Sequence, residues 1–330
     1  MANYKEIHGQ KIKVLSSDPL TPSTGDFWYN STDYEVKVYY DAISPGTWAS
    51  GGNMGTARYG LGGCGTQTAG LAFGGATPSA TTETEEYDGS AWTAGGNLNI
   101  GRYLIGSAGT QTAGLAFGGA GDDYATEEYD GSAWTAGGNL NVSKRKLAGA
   151  GTQTAGLGFA GYSYDEIGNL SNTTEEYDGS TWTAGGNLST KREYIAGAGT
   201  QTAGLGFGGL LDQTLYLSTN ATEEYDGSAW TAGGNLVTAR DNAAGAGTQT
   251  AGLGFGGYAG TVKLNSTEGY DGSAWTAGGG NLGTARTGLA GAGTLLSGLA
   301  FGGSDINYNS TNSTEEYGGG FSGFGTFRLR

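Results

Sequence analysis

Charged side chains that could carry out acid–base catalysis recur at regular intervals along this 330-residue chain. Each copy of a repeat pairs one basic residue with one or two glutamates, and a carboxylate beside a guanidinium could transfer a proton. A catalytic site would break the symmetry between the copies, whereas these charges are kept in every copy. We therefore expect one Glu of each set to neutralise the buried Arg of its own or the next repeat. The basic residues are Arg58, Arg102, Lys144, Arg192, Arg240 and Arg286, and the acidic residues are Glu85 and Glu86, Glu127 and Glu128, Glu175 and Glu176, Glu223 and Glu224, Glu268, and Glu315 and Glu316.

Residue types that bind transition metals or act as nucleophiles are scarce. The chain has one histidine, His8, and one cysteine, Cys64, whereas copper and zinc sites use several such ligands. Cys64 stands where the other copies have Ala or Gly, so we expect a small buried side chain and not a reactive thiol. The Gly121-Asp122-Asp123 loop could bind calcium, although two adjacent acids in a loop are usually only solvated. We expect no catalytic residues, no cofactor and no metal.

The composition excludes several classes of protein. A net charge of −15 repels the nucleic-acid backbone, so we expect no DNA or RNA partner. The 20 Tyr, 10 Phe and 7 Trp argue against disorder, and together with 68 Gly they predict a core of aromatic and small residues. No apolar run reaches the roughly 18 residues of a membrane span, and the N-terminus lacks the apolar core of a secretory signal. These features predict a soluble protein that is not exported by the general route.

The elements that hold the charged residues follow from a repeat that occurs six times. After Gly-Gly-Asn-Leu come the basic residue, a small-residue segment, a Gly-Thr-Gln-Thr turn, and an apolar segment that ends in Gly-Gly. A variable loop, Thr-Glu-Glu-Tyr, an Asp-Gly turn and a Trp segment complete the unit. Asp-Gly between short strand-like runs is a strong hairpin signal. Four antiparallel strands in each repeat of roughly 40 to 50 residues predict the blades of an all-β propeller.

The repeat resembles the kelch family in the paired Gly that ends the second strand, the Tyr on the third strand and the Trp on the fourth. Gly74, Gly75, Tyr87 and Trp92 carry this likeness in the first full copy, and the likeness extends over residues 34–330. The resemblance implies a β-propeller of kelch type and leaves the function open, because propellers host many unrelated roles. Six four-stranded blades are the simplest interpretation of the copies, and seven blades or an open solenoid are the alternatives.

The two ends of the repeat array are complementary. The last copy has no Trp after Thr-Glu-Glu-Tyr, whereas the chain has an additional Trp48 segment before the first full copy. A closed ring leaves no exposed sheet edge, so we predict that the Trp48 strand completes the last blade and closes the ring. Residues 326–330 alternate apolar and basic side chains, and they could compete for that place or add a strand beside it.

Residues 1–33 precede the propeller as an N-terminal arm, and a short β-hairpin is predicted from residues 27–29 and 34–40. The segment 22–39 resembles a short module of structural proteins of tailed bacteriophages, in which Pro, Gly, Trp-Tyr-Asn and a later Trp recur with similar spacing. The near-perfect Gly-Thr-Gln-Thr-Ala-Gly array is also similar to viral proteins of aquatic origin. In the other interpretation, the arm is a strap across the ring and Trp28 covers its edge.

The phage resemblance implies a non-enzymatic virion structural protein, a tail, fibre or capsid-surface component with an attachment arm and a displayed propeller. Its partners would be other virion proteins and a host-surface receptor or glycan, and it would be oligomeric within an assembly. It would be made in the host cytoplasm and displayed outside the cell, which agrees with the missing secretion signal. The alternative function is a cellular kelch-type scaffold or lectin-like binding protein unrelated to a virus.

Only one set of loops differs from copy to copy. The loops between Gly-Gly and Thr-Glu-Glu vary in length and composition, whereas the Gly-Thr-Gln-Thr and Asp-Gly-Ser turns scarcely change. In an up-and-down blade these turns share one face and the variable loops lie on the other, which makes the variable face the candidate partner face. Exposed Tyr and Leu suit such contacts, although loop drift with aromatic residues tucked onto the rim explains the pattern equally well. The candidate residues are Tyr162, Tyr164, Asp165, Leu210, Leu211, Tyr216, Leu217, Tyr258 and Tyr308.

Overall fold

The computed structural model describes residues 3–7, 10–16, 27–32, 35–38, 46–166, 169–319 and 326–327. Within these ranges every regular element is a β-strand, so the all-β prediction is confirmed, and no helix there is long and apolar enough to cross a membrane. The contacts divide the chain into two compact units, Met1–Gly46 with Gly319–Arg330, and Thr47–Gly318. This division falls after the predicted boundary at residue 33, because residues 35–38 pair with strands of the first unit.

Over the residues described, the first unit is a sheet of five strands. β1 (Asn3–Ile7) pairs antiparallel with β2 (Gln10–Leu15), which runs parallel to β3 (Phe27–Asn30). β3 pairs antiparallel with β4 (Glu35–Val38), and these two strands are the hairpin that the sequence predicts. The C-terminal strand Thr326–Phe327 adds to the other edge of β4. It therefore extends this sheet and takes no place in a blade, so the idea that it competes with Trp48 is wrong for these two residues.

The second unit begins with β5 (Thr47–Ser50) and continues as a ring of six four-stranded antiparallel blades, counted over residues 47–318 without 167–168. The first strand of each blade lies against the first strands of the neighbouring blades, around the central axis. The other strands follow outwards. Blade one consists of β6 (Gly62–Thr66), β7 (Ala69–Phe73), β8 (Thr84–Tyr87) and β9 (Trp92–Ala94). Blade two consists of β10 (Gly106–Thr110), β11 (Ala113–Phe117), β12 (Thr126–Tyr129) and β13 (Trp134–Ala136). Blade three consists of β14 (Ala148–Thr152), β15 (Ala155–Tyr162), β16 (Leu170–Tyr177) and β17 (Trp182–Ala184).

Blades four and five each carry an additional two-stranded hairpin in the variable loop. Blade four contains β18 (Ala196–Thr200), β19 (Ala203–Phe207), the hairpin β20 (Leu210–Asp212) and β21 (Leu217–Ser218), β22 (Thr222–Tyr225) and β23 (Trp230–Ala232). Blade five contains β24 (Ala244–Thr248), β25 (Ala251–Phe255), the hairpin β26 (Tyr258–Ala259) and β27 (Val262–Lys263), β28 (Thr267–Tyr270) and β29 (Trp275–Ala277). Blade six contains β30 (Ala290–Thr294), β31 (Ser297–Phe301), β32 (Thr314–Gly318) and β5.

β5 closes the ring. It pairs antiparallel with β32, with Trp48 opposite Tyr317, and so forms the outer strand of blade six, the place that the sequence predicts for it. The inner strands β6 and β30 also lie against each other, which joins blades one and six. Over the described part of the chain the ring has six blades, and the seven-bladed and open-solenoid alternatives are wrong.

The core between neighbouring blades is built from aromatic rings and glycines. Trp134 of blade two packs on Tyr129 of its own blade and on Phe73 of blade one, with ring centroids 5.0 and 4.8 Å apart. Small residues leave room for such rings, because a Cβ atom on Gly106 would lie 2.3 Å from the Phe117 ring. A core of aromatic and small residues is what the composition predicts.

Candidate functional site

The repeated charges that could have formed a catalytic set are used inside the blades. In blade four, Arg192 Nη2 lies 2.8 Å from Glu223 Oε1, and Nη1 donates to the carbonyls of Gly208 and Ala221. The second carboxylate oxygen accepts the Ser189 N–H at 2.8 Å, and burial lowers the pKa of the Arg192 guanidinium. Every copy repeats this pair within its own blade, which confirms the structural role predicted for one Glu of each set. The pairs are Arg58 with Glu85, Arg102 with Glu127, Lys144 with Glu175, Arg192 with Glu223, Arg240 with Glu268, and Arg286 with Glu315.

The face with the constant turns forms the same hydrogen bonds in copy after copy, within blades and between them. In the Asp-Gly-Ser turn of blade three, Asp178 accepts the backbone N–H groups of Thr181 and Ser180 at 2.7 and 2.8 Å. These bonds, led by the one from Thr181, lower the pKa of Asp178 to about 2. In the Gly-Thr-Gln-Thr turn of the same blade, Gln153 donates to two carbonyls of blade two. The opposite face carries the loops between the second and third strands, and we call it the variable-loop face.

A closed ring of backbone hydrogen bonds surrounds the central axis on the variable-loop face. The second residue after each basic residue has a left-handed φ of 51–64°, and its N–H donates to the carbonyl of its counterpart in the preceding blade. The bond from Gly60 N to Gly288 O, at 2.8 Å, joins blades one and six. A left-handed φ favours glycine, yet most of these positions carry a side chain. The ring therefore presents side chains of different chemistry around a narrow opening. The residues of this ring, all within the described chain, are Gly60, Leu104, Lys146, Tyr194, Asn242 and Gly288.

Aliphatic side chains narrow the central channel below this ring. Two cavities of about 90 and 130 Å³ lie along the channel. A water molecule in the liquid takes up about 30 Å³, so these cavities suit a few waters and not an organic ligand. The aliphatic residues that follow the ring residues in the chain are Leu61, Ile105, Leu147, Ile195, Ala243 and Leu289.

A pocket of about 390 Å³ opens where the loops of blades four, five and six meet. Its volume suits a small organic group. Four residues of the sequence-based candidate set, Leu210, Tyr216, Tyr258 and Tyr308, line it together. The structure thus brings these residues from three blades to one place. The full lining is Tyr194, Leu210, Tyr216, Asp241, Asn242, Tyr258, Gly260, Thr261 and Tyr308.

Asp241 is the one carboxylate in the lining of this pocket, and it exposes 8% of its surface. Its backbone pairs with that of Tyr258 through two hydrogen bonds of 2.9 and 2.8 Å, which fixes its position after Arg240. Ser218 Oγ donates to Asp241 Oδ2 at 2.6 Å. Burial, with a smaller contribution from Glu193, raises the pKa of Asp241 to about 6 although the Ser218 bond lowers it. The carboxylate is therefore poorly solvated in its charged form.

Tyrosines form the rim of the pocket. Tyr216 and Tyr308 expose 66% and 76% of their surfaces. Burial raises the pKa of the Tyr258 hydroxyl in blade five, and the nearby Tyr308 of blade six adds to this rise. Lys263 Nζ lies 4.1 Å from the Tyr308 ring centre and donates to Ser304 Oγ at 3.1 Å. These contacts hold the rim in place across two blades.

Three predicted residues form a separate cluster in the loop of blade three. The rings of Tyr162 and Tyr164 meet edge to face with centroids 5.1 Å apart, and the Arg145 guanidinium lies 4.7 and 4.8 Å from them. Asp165 accepts a hydrogen bond from the Tyr124 hydroxyl at 2.8 Å. The two tyrosines contact each other, Asp165 contacts Tyr124, and none of the three lines the pocket.

Two predicted leucines lie near the pocket without lining it. Leu211 and Leu217 belong to the β20–β21 hairpin of blade four, as Leu210 does. Leu217 is exposed on half of its surface, and Leu211 is less exposed. Their contribution to a partner surface stays a prediction.

The pocket also contains five residues outside the candidate set, of which Gly260 and Thr261 belong to a variable loop and Tyr194, Asp241 and Asn242 do not. These last three lie one or two positions after the basic residues Arg192 and Arg240. The copies differ at these two positions as much as in the loops. In chain order, the two residues after the basic residue are Tyr-Gly, Tyr-Leu, Arg-Lys, Glu-Tyr, Asp-Asn and Thr-Gly. This variation was the available signal, and attention to the loops alone overlooks it.

Metal ligands do not gather in the described ranges, where no group of three or more His, Cys, Asp and Glu could hold an ion. In the Gly121-Asp122-Asp123 loop, Asp122 accepts the Tyr124 N–H at 3.1 Å, and burial raises the pKa of Asp123. Cys64 is buried, and burial raises the pKa of its thiol to about 12. The prediction of a small buried side chain at Cys64 is confirmed.

No family model and no curated protein matches the sequence. A solved structure titled "Structure of YjhT" is similar, with a TM-score of 0.67 and coverage of 83% of this chain and 99% of that chain. This chain has a β-propeller fold. At 12% sequence identity the likeness shows the fold alone, so it assigns no role to the pocket.

Proposed function

We propose that this protein is a non-enzymatic binding protein whose partner contacts the variable-loop face. The observation that carries this proposal is the pocket between blades four, five and six, where residues that differ between the copies converge. The exposed Tyr216 and Tyr308 flank it, and aromatic side chains offer a large contact area at low entropic cost. A propeller suits this role because its blades hold variable loops in a fixed arrangement.

Binding is favoured over catalysis by the surroundings of each acid. The glutamates of the six ion pairs are bonded to Arg or Lys inside the blades, so they are not free to exchange protons. A second proton-transfer group in the pocket would serve acid–base catalysis with Asp241 best if its pKa lay near the operating pH. Burial instead raises the pKa values of Tyr194 and Tyr258, which line the same pocket.

The finer proposal is that the protein is a structural component of a virion, with the arm for attachment and the propeller on display. The segment 22–39 supports this proposal through its resemblance to structural proteins of tailed bacteriophages. Strands β1–β4 form a sheet with the C-terminal strand and not with a blade, which suits a separate attachment unit. Other virion proteins would hold the arm, and a host-surface receptor or glycan would meet the variable-loop face.

Antibodies against separate segments test both parts of this proposal. By immunogold electron microscopy, antibodies against the loop 210–221 should label intact particles and should block their adsorption to host cells. Antibodies against residues 1–33 should label disrupted particles only, because other virion proteins would cover the arm. Antibodies against the loop 120–125, which shares the variable-loop face but not the pocket, serve as the matched control and should label particles with less effect on adsorption.

Two results would contradict the proposal. Particles that bind none of the three antibodies, intact or disrupted, would exclude a virion role. Strong labelling of the loop 210–221 without any loss of adsorption would exclude this face as the host-binding surface.

A further inference from the structure

The pocket contains a buried carboxylate whose charge no cation among the described residues balances. Asp241 is more than nine-tenths buried, and its side-chain partner in the described chain is the neutral Ser218 hydroxyl. The ammonium groups that lie over pocket tyrosines are engaged elsewhere, since Lys146 pairs with Glu193 at 3.1 Å and Lys263 donates to oxygens of blade six. A buried charge without a partner is unfavourable, so a cationic ligand would gain from pairing with Asp241.

The tyrosines of the pocket already attract cations within the fold. Lys146 Nζ lies 4.6 Å from the ring centre of Tyr194, and Lys263 Nζ lies 4.1 Å from that of Tyr308. The negative face of an aromatic ring attracts a cation within about 6 Å of the ring centre. Every ring has two such faces, so the exposed ring of Tyr216 and the face of Tyr308 that Lys263 does not cover are open at the mouth of the pocket.

We propose that the pocket between blades four, five and six binds an alkylammonium group, a positive charge on an aliphatic stem, with Asp241 as counter-ion and tyrosines as walls. This inference rests on the proposed function, because it assigns a ligand class to the same face. The volume of about 390 Å³ accommodates such a group with its stem. A neutral sugar is the competing ligand, since Asn242 and the tyrosines could hold hydroxyls, but a sugar would leave the charge of Asp241 unbalanced.

Calorimetric titration of the full chain with choline and with its neutral isostere 3,3-dimethyl-1-butanol separates charge from shape. Choline should bind at least about tenfold more tightly at about pH 7.5, because only choline carries a positive charge. n-Butylamine in the same assay shows whether the pocket prefers a methylated or a primary ammonium, and either preference over the isostere supports the proposal. Equal binding of the cations and the isostere, no binding of either cation, or tighter binding of methyl α-glucoside than of both cations would overturn it.

The substitution Asp241→Asn tests the counter-ion, because it keeps the shape of the side chain and removes its charge. The affinity for choline should fall about tenfold, to that of the isostere, while the affinity for the isostere stays the same. Asp226→Asn is the matched control, since it removes one charge from an Asp-Gly-Ser turn on the opposite face and should leave choline binding unchanged. Tyr308→Leu, at an exposed rim position, should weaken choline binding several-fold with the fold intact. Unchanged choline affinity in both pocket variants would overturn the proposal.

The affinity for choline should also depend on pH. Protonation removes the counter-ion, so binding should be full above about pH 7 and should weaken as the pH falls through about 6. Glu193 acts on Asp241, pairs with Lys146 and has a pKa that burial also raises. Lys263 lies opposite Tyr258 in the β26–β27 hairpin, and the backbone of Tyr258 pairs with that of Asp241. The pH dependence should therefore be lost in Asp241→Asn, and its persistence there would contradict the role of Asp241. These outcomes concern the ligand class alone, because antibody blocking tests the partner face without a small ligand.

Discussion

Five of the six interfaces between blades, counted over the described chain, share side-chain hydrogen bonds that the interface between blades five and six lacks. At the interface of blades four and five, the Tyr270 hydroxyl donates to Glu224, and Gln249 Nε2 donates to the carbonyls of Gly204 and Tyr225 at 3.1 and 2.8 Å. At these five interfaces such bonds run from one blade to the preceding one. The Tyr–Glu pairs are Tyr87 with Glu316, Tyr129 with Glu86, Tyr177 with Glu128, Tyr225 with Glu176, and Tyr270 with Glu224, and the Gln donors are Gln67, Gln111, Gln153, Gln201 and Gln249.

Three sequence changes remove this set between blades five and six. Gly269 stands where the other copies have the second Glu, Leu295 stands in place of Gln, and residues 278–280 are three linker glycines where other copies have two. All three linker glycines have positive φ, between 74 and 139°. As a result the Tyr317 hydroxyl is buried with no hydrogen-bond partner among the described residues. Buried hydroxyls are normally bonded, so this interface has lost stabilising contacts in its interior.

The same interface is reinforced on the variable-loop face. Lys263 of blade five donates to Ser304 Oγ of blade six at 3.1 Å, and its Nζ lies 4.1 Å from the ring centre of Tyr308. Both contacts lie at the rim of the pocket. Contacts beside the pocket therefore help to hold together two blades that lack the repeated bonds. A ligand that contacts Asp241 and Tyr308 would join the two blades that share the fewest of the repeated bonds.

The largest expected effect is at the outer strand of blade six. Trp48 packs on Phe255 of blade five and donates to Thr267 Oγ1 at 2.9 Å, and these contacts remain at the sparse interface. Trp48→Ala should lower the free energy of unfolding by about 3–5 kcal/mol, as truncations of large aromatic residues do. The loss should exceed that of Trp230→Ala. Trp230 is also half-buried and packs on Phe159, but its interface keeps the Tyr and Gln bonds.

Urea denaturation followed by circular dichroism measures both losses without relying on tryptophan fluorescence. The slope of the transition reports whether each variant still unfolds as one cooperative unit. Equal losses in the two variants would show that the missing bonds do not weaken the interface between blades five and six.

An exchange of Gln and Leu between interfaces should shift stability in opposite directions. Gln249→Leu removes two hydrogen bonds and leaves the carbonyls of blade four with fewer partners, so the free energy of unfolding should fall by about 2 kcal/mol. Leu295→Gln restores the donor of the other copies toward blade five and should raise the free energy of unfolding by up to about 1 kcal/mol. Thermal melts of the two variants check the signs. A destabilised Leu295→Gln variant would mean that blades five and six are spaced too differently to use the repeated bond.

The features that sequence predicts correctly follow from the repeat unit and from comparing its copies. The number of blades follows from counting the copies. The role of Trp48 follows because the last copy lacks a Trp and the chain has this one before the first full copy. The pairing of each basic residue with a Glu follows because both are kept together in the unit. In each case the interacting residues lie in one blade, so the repeat itself contains the information.

The features that sequence does not predict depend on how blades meet. Glu86 and Tyr87 are adjacent in the chain, yet Glu86 accepts from blade two and Tyr87 donates to blade six. Asp241 and Tyr308 reach one pocket only through the rotation between blades and the conformations of long loops. The C-terminal residues 326–327 pair with β4, which lies almost the whole chain away. The placements of Asp241 with Tyr308 and of residues 326–327 with β4 have no periodic signature in the sequence.

The smallest expected effect comes from removing one tyrosine hydroxyl, either at the interface of blades four and five or at the interface of blades five and six. Burial and the bond to Glu224 raise the pKa of Tyr270 to about 12, and Tyr270→Phe should lower the free energy of unfolding by about 1 kcal/mol because the carboxylate loses a donor. Tyr317→Phe should change it by less than about 0.5 kcal/mol or raise it slightly, because the hydroxyl has no partner among the described residues. Chemical denaturation of both variants measures the difference, and equal losses would show that the Tyr317 hydroxyl is bonded after all.

Gly269→Glu then shows which change leaves the Tyr317 hydroxyl unpaired. If the missing carboxylate is the cause, Gly269→Glu should stabilise the wild type by about 0.5–1 kcal/mol more than it stabilises the Tyr317→Phe variant, as a double-mutant cycle measures. An equal effect in both backgrounds would assign the cause to the linker. Elsewhere a linker N–H also donates to the Tyr hydroxyl, as Gly234 N does to Tyr270, and the additional glycine removes this contact from Tyr317. Deleting one linker glycine together with Gly269→Glu should then restore the coupling, because both partners of the hydroxyl would return.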